Sequence, residues 1–171
     1  MYLPKSVKNS YLIAVLVVAL ISSGFLNGIV LNVSTIAFAV KFIANLSGSQ
    51  EVPPVITTAT GKGTFRQAIN DTVLRYKLNI TGFSDATAAN ILISNASSNG
   101  DIIVDLLEGS KRKYSDRLSL KGSISKASLI GPVQNKTLAD LIYVIIKGSA
   151  YVNIHTETNP DGEIRGQIQP S

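Results

Sequence analysis

AYVNIHTETNPDGEIRGQI, residues 150–168, is the stretch that decides the fold. Over 150–156 the side chains alternate, with Tyr151, Asn153 and His155 on one side of an extended chain and Val152 and Ile154 on the other. Residues 163–168 repeat the alternation, with Glu163, Arg165 and Gln167 opposite Ile164 and Ile168. Between them stand Asn159, Pro160, Asp161 and Gly162, where Asn and Gly tolerate positive φ and Pro pre-sets the turn. The pattern predicts a β-hairpin, with Glu163 and Arg165 as a solvated or cross-strand paired row.

Working outward, short strands are predicted at 41–46, 61–69, 72–81, 87–94, 102–107 and 118–124, ahead of the hairpin strands 150–156 and 163–168. In 72–81, Leu74, Tyr76, Leu78 and Ile80 share one face while Arg75, Lys77 and Asn79 share the other, the period of a half-buried strand. Asn70 and Asp71 supply the turn before it. About eight such strands with turn signals between them predict an all-β antiparallel sandwich or barrel. One segment breaks the rhythm: Leu138, Leu141, Ile142, Ile145 and Ile146 fall on one helical face. Thr137 with Asp140 makes a cap, and Gly148 a stop, for a short helix over 137–147. The β-branched content of that segment leaves a strand reading open.

Two further blocks, KFIANLSGSQEVPPV (41–55) and ATGKGTF (59–65), join the hairpin in a resemblance. Together they resemble the N-terminal and C-terminal signatures of the CHRD (chordin) domain, in the right order and over a hundred residues apart. The resemblance runs from about residue 40 to 170. It implies an Ig-like or superoxide-dismutase-like β-sandwich found in extracytoplasmic proteins, microbial ones among them. In that family a His-x-His pair commonly sits in the strand that here reads AANILI (88–93), and with a later histidine it is similar to the copper-binding strand histidines of copper/zinc superoxide dismutases. Here Asn90 and Leu92 stand where the pair would be, which removes two nitrogen ligands.

The chain has 171 residues and no cysteine, which excludes a disulfide framework, thiolate catalysis and Cys-based zinc sites. Its formal net charge is +5, of which Lys5 and Lys8 lie in the leader, so the part from residue 40 onward is mildly basic. That balance gives no argument for nucleic acid. Lys5 and Lys8, an apolar run over 11–31 and Ala37-Phe38-Ala39 predict either a signal peptide cleaved after Ala39 or an uncleaved membrane anchor through 11–31. The division is therefore a leader at 1–39 and one sandwich domain at 40–171, secreted or membrane-anchored, on the extracytoplasmic side. Glycosylation sequons at Asn32, Asn45, Asn70, Asn79, Asn95 and Asn135 fit that side, with Asn79 the least favourable because it lies within a strand.

No serine stands in a nucleophile elbow, and one histidine without cysteine leaves little material for acyl transfer. No cofactor is expected. The weak metal candidates are His155, Glu157, Asp161 and Asn90, as an oxygen-rich calcium set; the plainer reading is that His155 packs near a strand end. Glu51, Pro53 and Pro54 are a stiff loop that either recognises a partner or closes one end of the sandwich. Lys111, Arg112 and Lys113 are the one local basic run, solvated or set against an anionic glycan or lipid headgroup. The leading expectation is a non-enzymatic extracytoplasmic module with an unidentified protein or glycan partner. The alternative is a metal-binding oxidoreductase resembling copper/zinc superoxide dismutase.

Overall fold

The computed structural model describes residues 40–67, 72–107 and 116–171. Nine antiparallel strands make up one hydrogen-bonded sheet: β1 (Val40–Ser47), β2 (Thr60–Gln67), β3 (Leu74–Thr81), β4 (Ala86–Ile93), β5 (Asp101–Asp105), β6 (Arg117–Ile124), β7 (Ala150–Thr156), β8 (Ile164–Gln167) and the short β9 (Gln169–Pro170). The order is β5-β4-β7-β8-β1-β2-β3-β6, with β9 beside β1. β8 meets β1 through the single pair Ser47↔Arg165, so β5-β4-β7-β8 and β1-β2-β3-β6 form the two layers of a sandwich.

The far edges also approach, which makes the sheet a nearly closed barrel. Tyr76 on β3 donates its hydroxyl to the Leu106 carbonyl beyond β5 at 3.0 Å. Between β6 and β7 the chain makes two 3-10 turns, and Ile130 N–H donates to Ile103 O of β5 at 3.0 Å, covering that edge. Phe42, Phe65, Leu78, Ile91, Val152 and Ile164, all fully buried, lie in the core between the layers.

The one α-helix among the described residues, α1 (Leu138–Ile146), opens on the capping box predicted for it. Asp140 N–H donates to Thr137 Oγ1 at 3.2 Å, and Thr137 N–H to Asp140 Oδ2 at 2.8 Å. Leu138, Leu141 and Ile145 are its buried face, so the helical period prevails over β-branched propensity.

The membrane-spanning helix, and with it a membrane-anchored localisation, is not carried forward. Among the described residues no helix is long and apolar enough to cross a membrane, and α1 has nine residues. Residues 11–31, to which the anchor was assigned, and the leader 1–39 lie outside the described residues.

Candidate functional site

Alternation places Asn90 and Leu92 of β4, Tyr151, Asn153 and His155 of β7, and Arg165 and Gln167 of β8 on the face of their layer turned away from the core. An outward face would ordinarily be wet. Here Asn90, Tyr151, Asn153 and Arg165 are buried, and Arg165 is 1% exposed. The cover comes from the segments around 51–57 and 94–100.

Arg165 joins the cover to the sheet. Its Nη2 donates to Asn95 O at 2.6 Å, and its Nη1 to Ser98 O at 3.1 Å and Asn99 Oδ1 at 3.2 Å. The guanidinium lies 3.5 Å from the centre of the Tyr151 ring, a stacked cation–π contact. Gln167 Nε2 adds bonds to Ser94 O at 2.9 Å and Gly148 O at 2.7 Å, while Gly100 N–H donates to Tyr151 Oη at 3.2 Å. The two covering segments are tied to each other by Asn99 Nδ2 donating to Val52 O at 2.6 Å.

Two carboxylates complete this layer, in opposite states. Glu163 is buried and saturated: Thr57 Oγ1 and Thr156 Oγ1 each donate to it at 2.6 Å, and Asn159 Nδ2 at 3.2 Å. Burial alone would raise its pKa, but the three hydrogen bonds together hold it below the ordinary carboxylate value. Glu51 is also buried, with only a 3.5 Å contact from Asn153 Nδ2 and with Oε1 unpartnered. Burial pushes its carboxyl up to about 7, against the opposing pull of the Arg165 charge and the Asn153 amide. Asn153 Oδ1 is unpartnered too. Turning the amide over would offer that oxygen to a protonated Glu51 Oε2 as an acceptor, which leaves Glu51 Oε1 without a partner.

This makes stability depend on pH. Native Glu51, at about 7 against an ordinary 4.5, binds its proton more tightly than the unfolded chain does. Its contribution is therefore full below the ordinary value and is lost as pH rises through 4.5 to 7. Glu51→Gln is expected to flatten that slope and to raise stability at pH 8 by about 1–2 kcal/mol, discounted for solvent screening. Urea unfolding at pH 5 and pH 8 checks it: an unchanged slope in the variant would show that Glu51 is not the titrating group.

The weak metal set does not assemble. His155 is half-buried; its Nδ1 donates to Pro160 O at 2.8 Å and its buried Nε2 has no partner. It pairs across the sheet with Ala88, while Asn90 pairs with Asn153 and Leu92 with Tyr151. Glu157 and Asp161 are exposed in the turn, and among the described residues no group of three or more His, Cys, Asp or Glu stands close enough to hold a metal ion. Leu92 and the buried Asn90 do not fit a copper site. This stands against the oxidoreductase alternative.

Pro53 and Pro54 are exposed as expected, but Glu51 belongs to the buried layer, so this loop closes the sandwich end rather than presenting its carboxylate. Glu163 and Arg165, expected to be a solvated or cross-strand paired row, are buried instead, and Arg165 bonds to one covering segment while Glu163 accepts from the other. Lys111, Arg112, Lys113, Asn32 and Asn70 lie outside the described residues. Asn45, Asn79, Asn95 and Asn135 are exposed or half-exposed. Beside Glu163 lies an open depression of about 580 Å³, bounded by Ile56, Thr57, Phe83, Ser84 and Asn159, with Ile56 fully exposed at its rim.

The two signature blocks thus meet in space: Glu51 from the first and Asn153, Gly162 and Arg165 from the second build one layer. A family model described as CHRD domain matches residues 42–168. The chain belongs to the CHRD domain family. No curated protein matches it. The matched span covers every strand from β2 to β8 and most of β1, so the CHRD domain is the sandwich itself. Within it, the polar residues of the second signature serve the CHRD fold by fastening loops to the outer face of one layer.

Proposed function

We propose that this CHRD protein is a non-enzymatic binding or surface-structural module working outside the cytoplasm. One observation carries the reading: the charged groups that could have done chemistry are spent on architecture. Arg165 is committed to Asn95, Ser98 and Asn99, and Glu163 to Thr57, Thr156 and Asn159. The hydroxyls beside Glu163 each serve as donors to it, with no histidine among its hydrogen-bond partners, and the lone histidine donates to a main-chain carbonyl. What remains is a rigid sandwich whose loops are held at fixed positions, the usual basis of a recognition surface. The leader-like N-terminal sequence and the sequon asparagines Asn95 and Asn135 support export.

The purified full chain, supplied in turn with copper, zinc and calcium, is expected to show no turnover of superoxide or of ester and glycoside panels above buffer. Sustained turnover that disappears in His155→Ala would overturn the reading.

A further inference from the structure

The outer face of the β1-β2-β3-β6 layer carries charge of one sign. Cross-strand register sets Lys41, Arg66, Arg75 and Ser123 in one row, and Ile43, Thr64, Lys77 and Lys121 in the next. A third row holds Asn45, Lys62, Asn79 and Ser119, and a fourth ends on Arg117 beside Thr81. No carboxylate occupies any of these positions, and all the cations in them are exposed. Arg75 has a partner of its own, and the other cations suffice without it. Among the described residues Lys41, Lys62, Arg66, Lys77, Arg117 and Lys121 make no ion pair.

Neighbouring strands lie about 4.8 Å apart and alternate residues about 6.8 Å apart along each strand, so these cations form a grid about 15 Å across the four strands. Like charges directly opposite each other weaken a sheet, yet Lys41 faces Arg66 and Lys77 faces Lys121. A ligand of opposite sign would relieve that repulsion.

We propose that this face binds a linear polyanionic polysaccharide, one carrying sulfate or carboxylate groups. The inference rests on the binding-module reading and names its partner class. Amides and hydroxyls of Asn45, Thr64, Asn79, Ser119 and Ser123 interleave with the cations and suit sugar hydroxyls, while the Arg66 and Arg117 guanidinium groups can fork onto sulfate or carboxylate. Single-stranded nucleic acid would want aromatic stacking platforms, and the face has no aromatic side chain. A lipid surface would want apolar side chains to bury, and Ile43, half-buried, is the only large one in these rows.

Heparin serves as the probe, with the full-length protein measured by calorimetry across a salt series. Binding is expected, and Lys77→Gln with Lys121→Gln should weaken it about tenfold and lower the slope of log K against log salt by about 2. The pair Lys136→Gln with Lys147→Gln, an equal change in charge off this face, should leave it within about twofold. The thermal midpoint of the Lys136 and Lys147 pair should stay near that of the parent and that of the Lys77 and Lys121 pair should be equal or slightly higher, since all four side chains are exposed and the Lys77 and Lys121 pair removes a like-charge contact. No heparin binding, or equal loss in both pairs, overturns the proposal. Tighter binding to a DNA duplex, or to vesicles of phosphatidylserine, overturns it in favour of those partners. The turnover assay decides the non-enzymatic reading separately, so either can fail alone.

Discussion

Arg165→Met is expected to lower the free energy of unfolding by about 3–5 kcal/mol, because methionine fills much of the volume and supplies none of the donors. Asn95 O, Ser98 O and Asn99 Oδ1 would lose their partner, and Tyr151 the cation stacked on its ring. Hydrogen bonds to a charged group contribute about 1.5–3 kcal/mol each, and loops relax enough that three such losses do not sum in full. Arg165→Lys should fall between, since an ammonium keeps the charge but cannot fork to acceptors on both sides. Urea midpoints at fixed slope measure it. A loss below about 1 kcal/mol would mean that the covering segments already open to water in the parent.

Gly162→Ala is the second large effect, at about 2–4 kcal/mol. Gly162 has φ +137°, a region that L side chains rarely adopt. A Cβ there would stand 2.7 Å from Asn153 Nδ2, 2.8 Å from its Oδ1 and 2.9 Å from Glu51 Oε2. The substitution therefore strains the turn and displaces the buried polar pair in one step. Thermal unfolding of Gly162→Ala beside Asp161→Ala, an exposed change one residue away, checks it. If the two variants melt together, the turn backbone is free to relax and the packing against Asn153 is loose.

Periodicity made most of this fold legible. The eight strands and the helix were set by period-two and helical spacing, and the Thr137–Asp140 cap by its residues alone. β9 was not, since two residues near the chain end carry no period. Alternation also told correctly that Arg165 and Gln167 share a face opposite Ile164, but not whether that face is wet. What covers it comes from residues 94–100 and 51–57, which hold no periodic signal and reach β8 from far along the chain. Glu51 was missed as a buried group for the same reason: Pro53 and Pro54 read as an exposed loop, and both are exposed, while the carboxylate turns inward.

The basic face was hidden differently. Its cations come from strands separated in sequence, and their sum is diluted by carboxylates elsewhere, so net charge gave a mild balance. Only the register aligns Lys41 with Arg66 and Lys77 with Lys121. The one basic run that stood out in sequence, 111–113, lies outside the described residues.

Native-state hydrogen exchange of the Gly100 and Val55 amides tests most directly that the polar residues of the two signature blocks build a closed scaffold rather than an open site. Gly100 N–H is bonded to Tyr151 Oη at 3.2 Å and Val55 N–H to Gly48 O at 2.9 Å, both in the covering segments. The closed scaffold predicts that both exchange only through openings nearly as costly as those of Ile91 and Val152 in the central strands, and that both lose protection together in Arg165→Met. Exchange at the rate of an unprotected loop in the parent protein would contradict it, and would make the outer face of β4, β7 and β8 an accessible cleft.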